Sequence, residues 1–123
     1  MAALVAVLGA CGEPTPDDAQ VHSALINHRD GAEVTFNATL VSEPGDANGH
    51  ERMRVRTGLG DTLEVDHNTS LARRVPAHTG DRVTVHGRLY IDPGGQGVHC
   101  THTRTSGGCP EPGWIKFDSE LYA

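Results

Sequence analysis

The chain of 123 residues carries 16 acidic against 10 basic side chains, a formal net charge of -6, and has room for one domain of ordinary size. That balance opposes bulk attraction to nucleic acid or anionic lipid, which reward a basic surface. An aromatic content of 4% leaves few candidates beyond Tyr90, Trp114 and Tyr122 for a platform on which bases or sugars would stack.

Met1 to Ala10 is an uncharged apolar run ending in Leu8-Gly9-Ala10-Cys11, the small-residue pattern that precedes a lipid-modified cysteine in bacterial lipoproteins. It is too short to span a bilayer as a helix, and the missing basic n-region agrees with a start upstream of Met1. Residues 1–11 then read as a leader ending at a lipidated Cys11, residues 12–18 as a polar tether and residues 19–123 as a single domain. The competing reading is a buried N-terminal element with an incidental cysteine. Export places Cys100 and Cys109 in an oxidising compartment as an even pair suited to a disulfide. The alternatives are two free core thiols or two soft metal ligands.

Asp17 to Arg29 reads as a helix capped by Asp17 or Asp18, with Val21, Ala24, Leu25 and His28 on one face. Ala32 to Val41 alternates as a half-buried strand, with Val34, Phe36, Ala38 and Leu40 facing inward. Ser42 to Gly49 is loop by its turn chemistry. Two strands follow around Thr57-Gly58-Leu59-Gly60-Asp61. Met53, Val55, Leu63, Val65 and His67 point inward, while Arg52, Arg54, Arg56, Glu64 and Asp66 point outward. Ser70 to Arg74 suits one helical turn. Arg82 to Tyr90 is the strongest strand, with Gly87 in its middle, and Asp92-Pro93-Gly94-Gly95 breaks it. Thr105 to Gly113 is loop, and Trp114 to Phe117 a closing strand. Five or so short strands with one N-terminal helix predict an all-β fold, a small five-stranded OB-like barrel in which Gly87 lets a strand bend at a corner. An open sandwich needs more strands than this.

From about Val21 onward the chain resembles a family of small exported bacterial proteins known only as a domain of unknown function. The resemblance rests on His50, His67-Asn68 through Leu71-Ala72, Arg74-Val75-Pro76, Gly80-Asp81, Asp92-Pro93 with Gly95, His99, Thr101-His102 and Gly113-Trp114-Ile115. It implies an exported OB-like β protein and brings no established activity. Cys100 stands where that pattern has an aromatic residue, usually Trp, and Thr103 and Arg104 replace a histidine and an acidic residue. A histidine expected before Gly113-Trp114 is absent, with Cys109 and Pro110 in its neighbourhood. A metal centre built on this stretch in the family would be incomplete here, with a disulfide gained.

The densest chemistry lies in Gly94 to His102, where His99 and His102 flank a thiol directly after the clearest strand. His67, Asn68, Arg73, Arg74, His99 and His102 are the candidate residues for a polar ligand or an envelope partner. Nothing here calls for a cofactor, and membrane contact is expected only through the lipid anchor. The alternative is a zinc-dependent hydrolase with His50, His67, His99 and His102 as candidate ligands and Asp66 or Asp92 orienting water. His99 and His102 could share a metal only if the segment between them departs from a regular strand. Otherwise the histidines form a hydrogen-bonded polar plug at the barrel mouth. The outward stripes Arg52, Arg54, Arg56 and Arg82, His86, Arg88 suit an oxyanion backbone, but Glu64 and Asp66 stand opposite the first and favour ordinary cross-strand pairing. No nucleophile elbow or phosphate loop is present.

Overall fold

In the computed structural model, residues 14–123 are described, and the leader and Cys11 lie outside them. Among the described residues, a helix, α1 (Asp18–Ile26), precedes eight strands: β1 (Glu33–Leu40), β2 (Gly45–Ala47), β3 (His50–Thr57), β4 (Thr62–Asn68), β5 (Arg82–Asp92), β6 (Gly95–His99), β7 (Trp114–Phe117) and β8 (Glu120–Tyr122).

Five strands close into a barrel in the order β1, β3, β4, β6, β5, with β5 returning to β1. β4 and β6 run parallel and every other pair is antiparallel, which is the strand arrangement of an OB barrel. The expected fold class is thus what forms. Alternation drives it: Phe36, Leu40, Met53, Leu63, Leu89 and Ile115 are almost fully buried and meet in one core. Gly87 sits where the free edge of β5 passes from β7 to β6. A Cβ there would lie 2.5 Å from the His99 carbonyl oxygen, so only glycine lets the strands approach.

The helix is shorter than its pattern predicts. Asp17 caps it, accepting from the Gln20 N–H at 3.2 Å. Val21, Ala24 and Leu25 are buried, but the helix stops at Ile26, and His28 adopts a left-handed φ of 52° outside it and is exposed. Three short strands escape the sequence reading. β2 lies inside the predicted Ser42–Gly49 loop and pairs with β3. β6 starts two residues after β5, so the predicted break at Pro93-Gly94 is a tight hairpin turn. β8 pairs with β7 beyond the predicted closing strand. The single helical turn expected near Ser70 forms over residues 68–72, where Leu71 and Ala72 both donate to the Asn68 carbonyl, and the chain leaves it before Arg73. Ala72 in this turn and Val75 and Ala77 just after it are buried.

Candidate functional site

Inward positions at the ends of β3 and β4 place Glu51 opposite His67, and both are fully buried. His67 Nε2 lies 2.9 Å from the Arg73 carbonyl oxygen, which can only accept, so Nε2 carries the proton. Nδ1 then accepts from the Thr101 hydroxyl at 2.7 Å. Burial pushes the imidazole below its ordinary range and keeps it neutral. Glu51 Oε1 accepts from the Val75 N–H at 2.8 Å, while Oε2 is buried without a hydrogen bond and lies 3.9 Å from the Arg74 guanidinium. Burial raises that carboxyl above the usual range. This is the polar plug at the barrel end, and it welds the Asn68–Gly80 connection to the barrel through main-chain groups.

The other expected site residues do not converge. β6 ends at His99, and Cys100 turns the chain with φ 60°; the buried His102 makes hydrogen bonds of its own, Nδ1 donating to the Arg104 carbonyl at 2.7 Å and Nε2 lying 3.7 Å from Cys109 Sγ. His50 Nδ1 lies 3.1 Å from the Asn48 carbonyl. Among the described residues no three His, Cys, Asp or Glu side chains stand together so as to hold a metal ion. Cys100 and Cys109 form the expected disulfide. Asn68 accepts from the Ser70 N–H at 2.9 Å, shaping its own turn. Arg73 pairs with Glu120 at 2.9 Å and lies over the Tyr122 ring, and Arg74 pairs with Asp46. Those acidic partners come from β2 and β8, the short strands that alternation did not reveal.

His99 faces a different place. The outer surface of β3 and β4, together with the β5–β6 hairpin, encloses an open groove of about 770 Å³. Arg52, Arg54, Glu64, Asp66, Tyr90 and His99 dominate it, with Asp92 and Gln96 at the hairpin side. The Tyr90 hydroxyl donates to Asp66 Oδ2 at 2.6 Å; burial, and then that bond, raise its pKa and keep it protonated. The His99 ring meets the Tyr90 ring edge-on, 5.4 Å between centroids, and burial lowers its pKa so that it stays neutral. Arg52 lies 3.8 Å from Asp66 and 3.9 Å from Glu64, the cross-strand pairing anticipated for this face. That pairing is incomplete. Asp66 Oδ1 has no hydrogen bond, and Arg54, although opposite Glu64 in register, has no ion pair among the described residues. Tyr90 enters the sequence reading only as one of the few rings for a stacking platform and not as part of this site, and Gln96 is not a candidate there; the outward alternation of β5 places Tyr90, whereas Gln96 sits in a glycine-rich segment without pattern.

A search of the curated proteins finds no match. A family model does match, over residues 5–123, and its description is protein of unknown function (DUF3465). With nearly the whole chain covered, and with the OB-like barrel and disulfide on the page, the chain belongs to the DUF3465 family of proteins of unknown function.

Proposed function

We propose that this chain is a binding module of the bacterial envelope, exported and held to the membrane through a lipidated Cys11. Its ligand site is the groove between β3, β4 and the β5–β6 hairpin. One observation carries the reading. On the face that OB barrels use for ligands, a groove of about 770 Å³ contains an arginine, Arg54, that has no ion pair among the described residues, beside the part-exposed carboxylate of Glu64 and the hydrogen-bonded Tyr90–Asp66 pair. An unpaired guanidinium next to a part-exposed carboxylate favours a small ligand that offers an acceptor to Arg54 and a donor toward Glu64, with the Tyr90–His99 pair as an apolar wall. A zwitterionic or hydroxyl-rich molecule has that chemistry. The plug residues His67 and Glu51 hold the barrel end, and of the expected histidine candidates His99 lines the groove, with Asp66 and Asp92.

Amide-resolved NMR titration with amino acids, short peptides and simple sugars tests this. Shifts confined to Arg54, Asp66, Tyr90, Gln96 and His99, weakened about tenfold by Arg54→Gln, support it. Shifts elsewhere, or none across all three classes, overturn it.

A further inference from the structure

The two arginine stripes meet across β1. β1 lies between β3 and β5, and the register puts Thr39 opposite Arg56 on one flank and opposite Arg82 on the other. Strands lie about 4.8 Å apart, so the two arginine Cα atoms stand roughly 10 Å from each other with a hydroxyl between them. Side chains of that length reach a common point above Thr39. A groove of about 390 Å³ opens there, lined by Asn37, Thr39, Arg56, Thr57, Gly58 and Arg82 among others, with no carboxylate in its wall.

Several arginines elsewhere are matched by carboxylates. Arg52 is taken by Glu64 and Asp66, Arg73 by Glu120, Arg74 by Asp46 and Arg88 by Glu33. Among the described residues neither Arg56 nor Arg82 has an ion pair, although the chain carries a net charge of -6. Asp18 borders the groove, but its Oδ1 accepts from the Asn37 N–H and its Oδ2 from the Gly58 N–H, each at 3.1 Å. Its oxygens are turned to main-chain donors, and it forms no ion pair with either arginine.

We propose that Arg56, Thr39 and Arg82 form a binding site for a phosphate-type tetrahedral oxyanion. Two guanidinium forks and one hydroxyl supply donors from three directions, which suits an oxyanion with several acceptor oxygens better than a single carboxylate. The site is independent of the ligand groove, which faces the β3–β4–β6 side. The same chemistry is offered by a free phosphate or sulfate group and by the headgroup of an anionic phospholipid. An anchored protein would meet the headgroup at every encounter with its membrane.

The test titrates the labelled full chain with inorganic phosphate at constant ionic strength, and in parallel sediments it with phosphatidylglycerol or phosphatidylcholine vesicles. Binding in the millimolar range is expected, with amide shifts centred on Thr39, Arg56, Gly58 and Arg82. Arg56→Gln and Arg82→Gln should each weaken it about tenfold, while Arg56→Lys keeps the charge and loses less. Arg29→Gln, on an exposed turn elsewhere, serves as the control and should change nothing. Phosphate shifts without sedimentation identify a soluble oxyanion; sedimentation with phosphatidylglycerol that the two glutamine variants abolish identifies the headgroup. If neither probe binds, or if binding survives in the double glutamine variant, the site does not exist.

Discussion

Replacing His67 by alanine tests whether the plug holds the barrel end. The substitution removes two hydrogen bonds, leaving the fully buried Thr101 hydroxyl and the Arg73 carbonyl without partners. Each orphaned group costs about 1 to 3 kcal/mol. The vacated ring volume adds a cavity term of about 1 kcal/mol or more, reduced if a water enters to bridge the orphans. These terms reach about 3 to 7 kcal/mol, and with a bridging water the expected loss is about 3 to 5 kcal/mol, a large share of the stability of a domain this size. By the usual entropy of unfolding it corresponds to a fall in Tm of roughly 12 to 20 °C. Urea unfolding followed by circular dichroism measures it directly. His67→Gln, whose amide can still donate to the Arg73 carbonyl, should recover part of the loss. His99→Ala, which breaks no hydrogen bond, should cost about 1 kcal/mol or less. A pH series adds a sign. The native imidazole has a lowered pKa, so its contribution is complete above the unfolded value of 6.5 and drains away as the pH falls below it. A loss under about 1 kcal/mol at His67, or an equal loss at His99, would refute the assignment of the plug to His67.

Glu51 should show the opposite slope. Its raised native pKa makes its contribution most favourable below the unfolded value of 4.5 and progressively lost as the pH climbs through the elevated value. The stability of Glu51→Gln relative to the parent should therefore increase between acid and neutral pH, and a flat difference in urea titrations would contradict the buried assignment. Reducing the Cys100–Cys109 bridge, which spans a sequence separation of 9, should cost about 2 to 3 kcal/mol by loop-closure entropy. Calorimetry with and without reductant reads this, and an unchanged Tm would deny the bridge a stabilising role. Mass spectrometry of membrane-extracted protein should find acyl chains on Cys11; a water-soluble chain retaining Met1 to Ala10 would end the anchor proposal.

Where strands obey strict alternation the fold was legible: β1, β3, β4 and β5 present one apolar face each, and Gly87 marked the corner. The elements that were hidden have no such face. β6 begins Gly95-Gln96-Gly97, because a Cβ at Gly97 would lie 2.4 Å from the Tyr90 hydroxyl and 2.5 Å from the Glu64 carbonyl. Close approach there demands the residue that erases the pattern. β2 has three residues, Gly-Asp-Ala, that read as turn chemistry. At the site, the inward position of His67 followed from counting along β4. Its hydrogen-bond partners did not, since Thr101 lies 34 residues away in sequence. The arginines show the same limit. Arg73 and Arg74 lacked acidic neighbours in their own segment, and their partners Glu120 and Asp46 arrive through tertiary pairing. Arg54, Arg56 and Arg82 looked no different from Arg52 in sequence; only the folded neighbourhood separates matched from unmatched charge.

The ring of strands is closed unequally. On one side β1 and β5 share seven registered residue pairs, from Glu33↔Arg88 to Thr39↔Arg82, whereas β4 and β6 share two, Glu64↔Gly97 and Val65↔Val98. A closed ladder parts first at its shortest seam, so amide exchange should be fastest along β6 and slowest along β1. The ligand groove straddles that short seam, with Glu64 and Asp66 on one bank and Gln96 and His99 on the other. A molecule seated across it would act as a clasp. Its binding energy would appear as slowed opening of the barrel in proportion to ligand concentration, so occupancy of the groove can be read from exchange at Gly97 and Val98 without knowing what the ligand is.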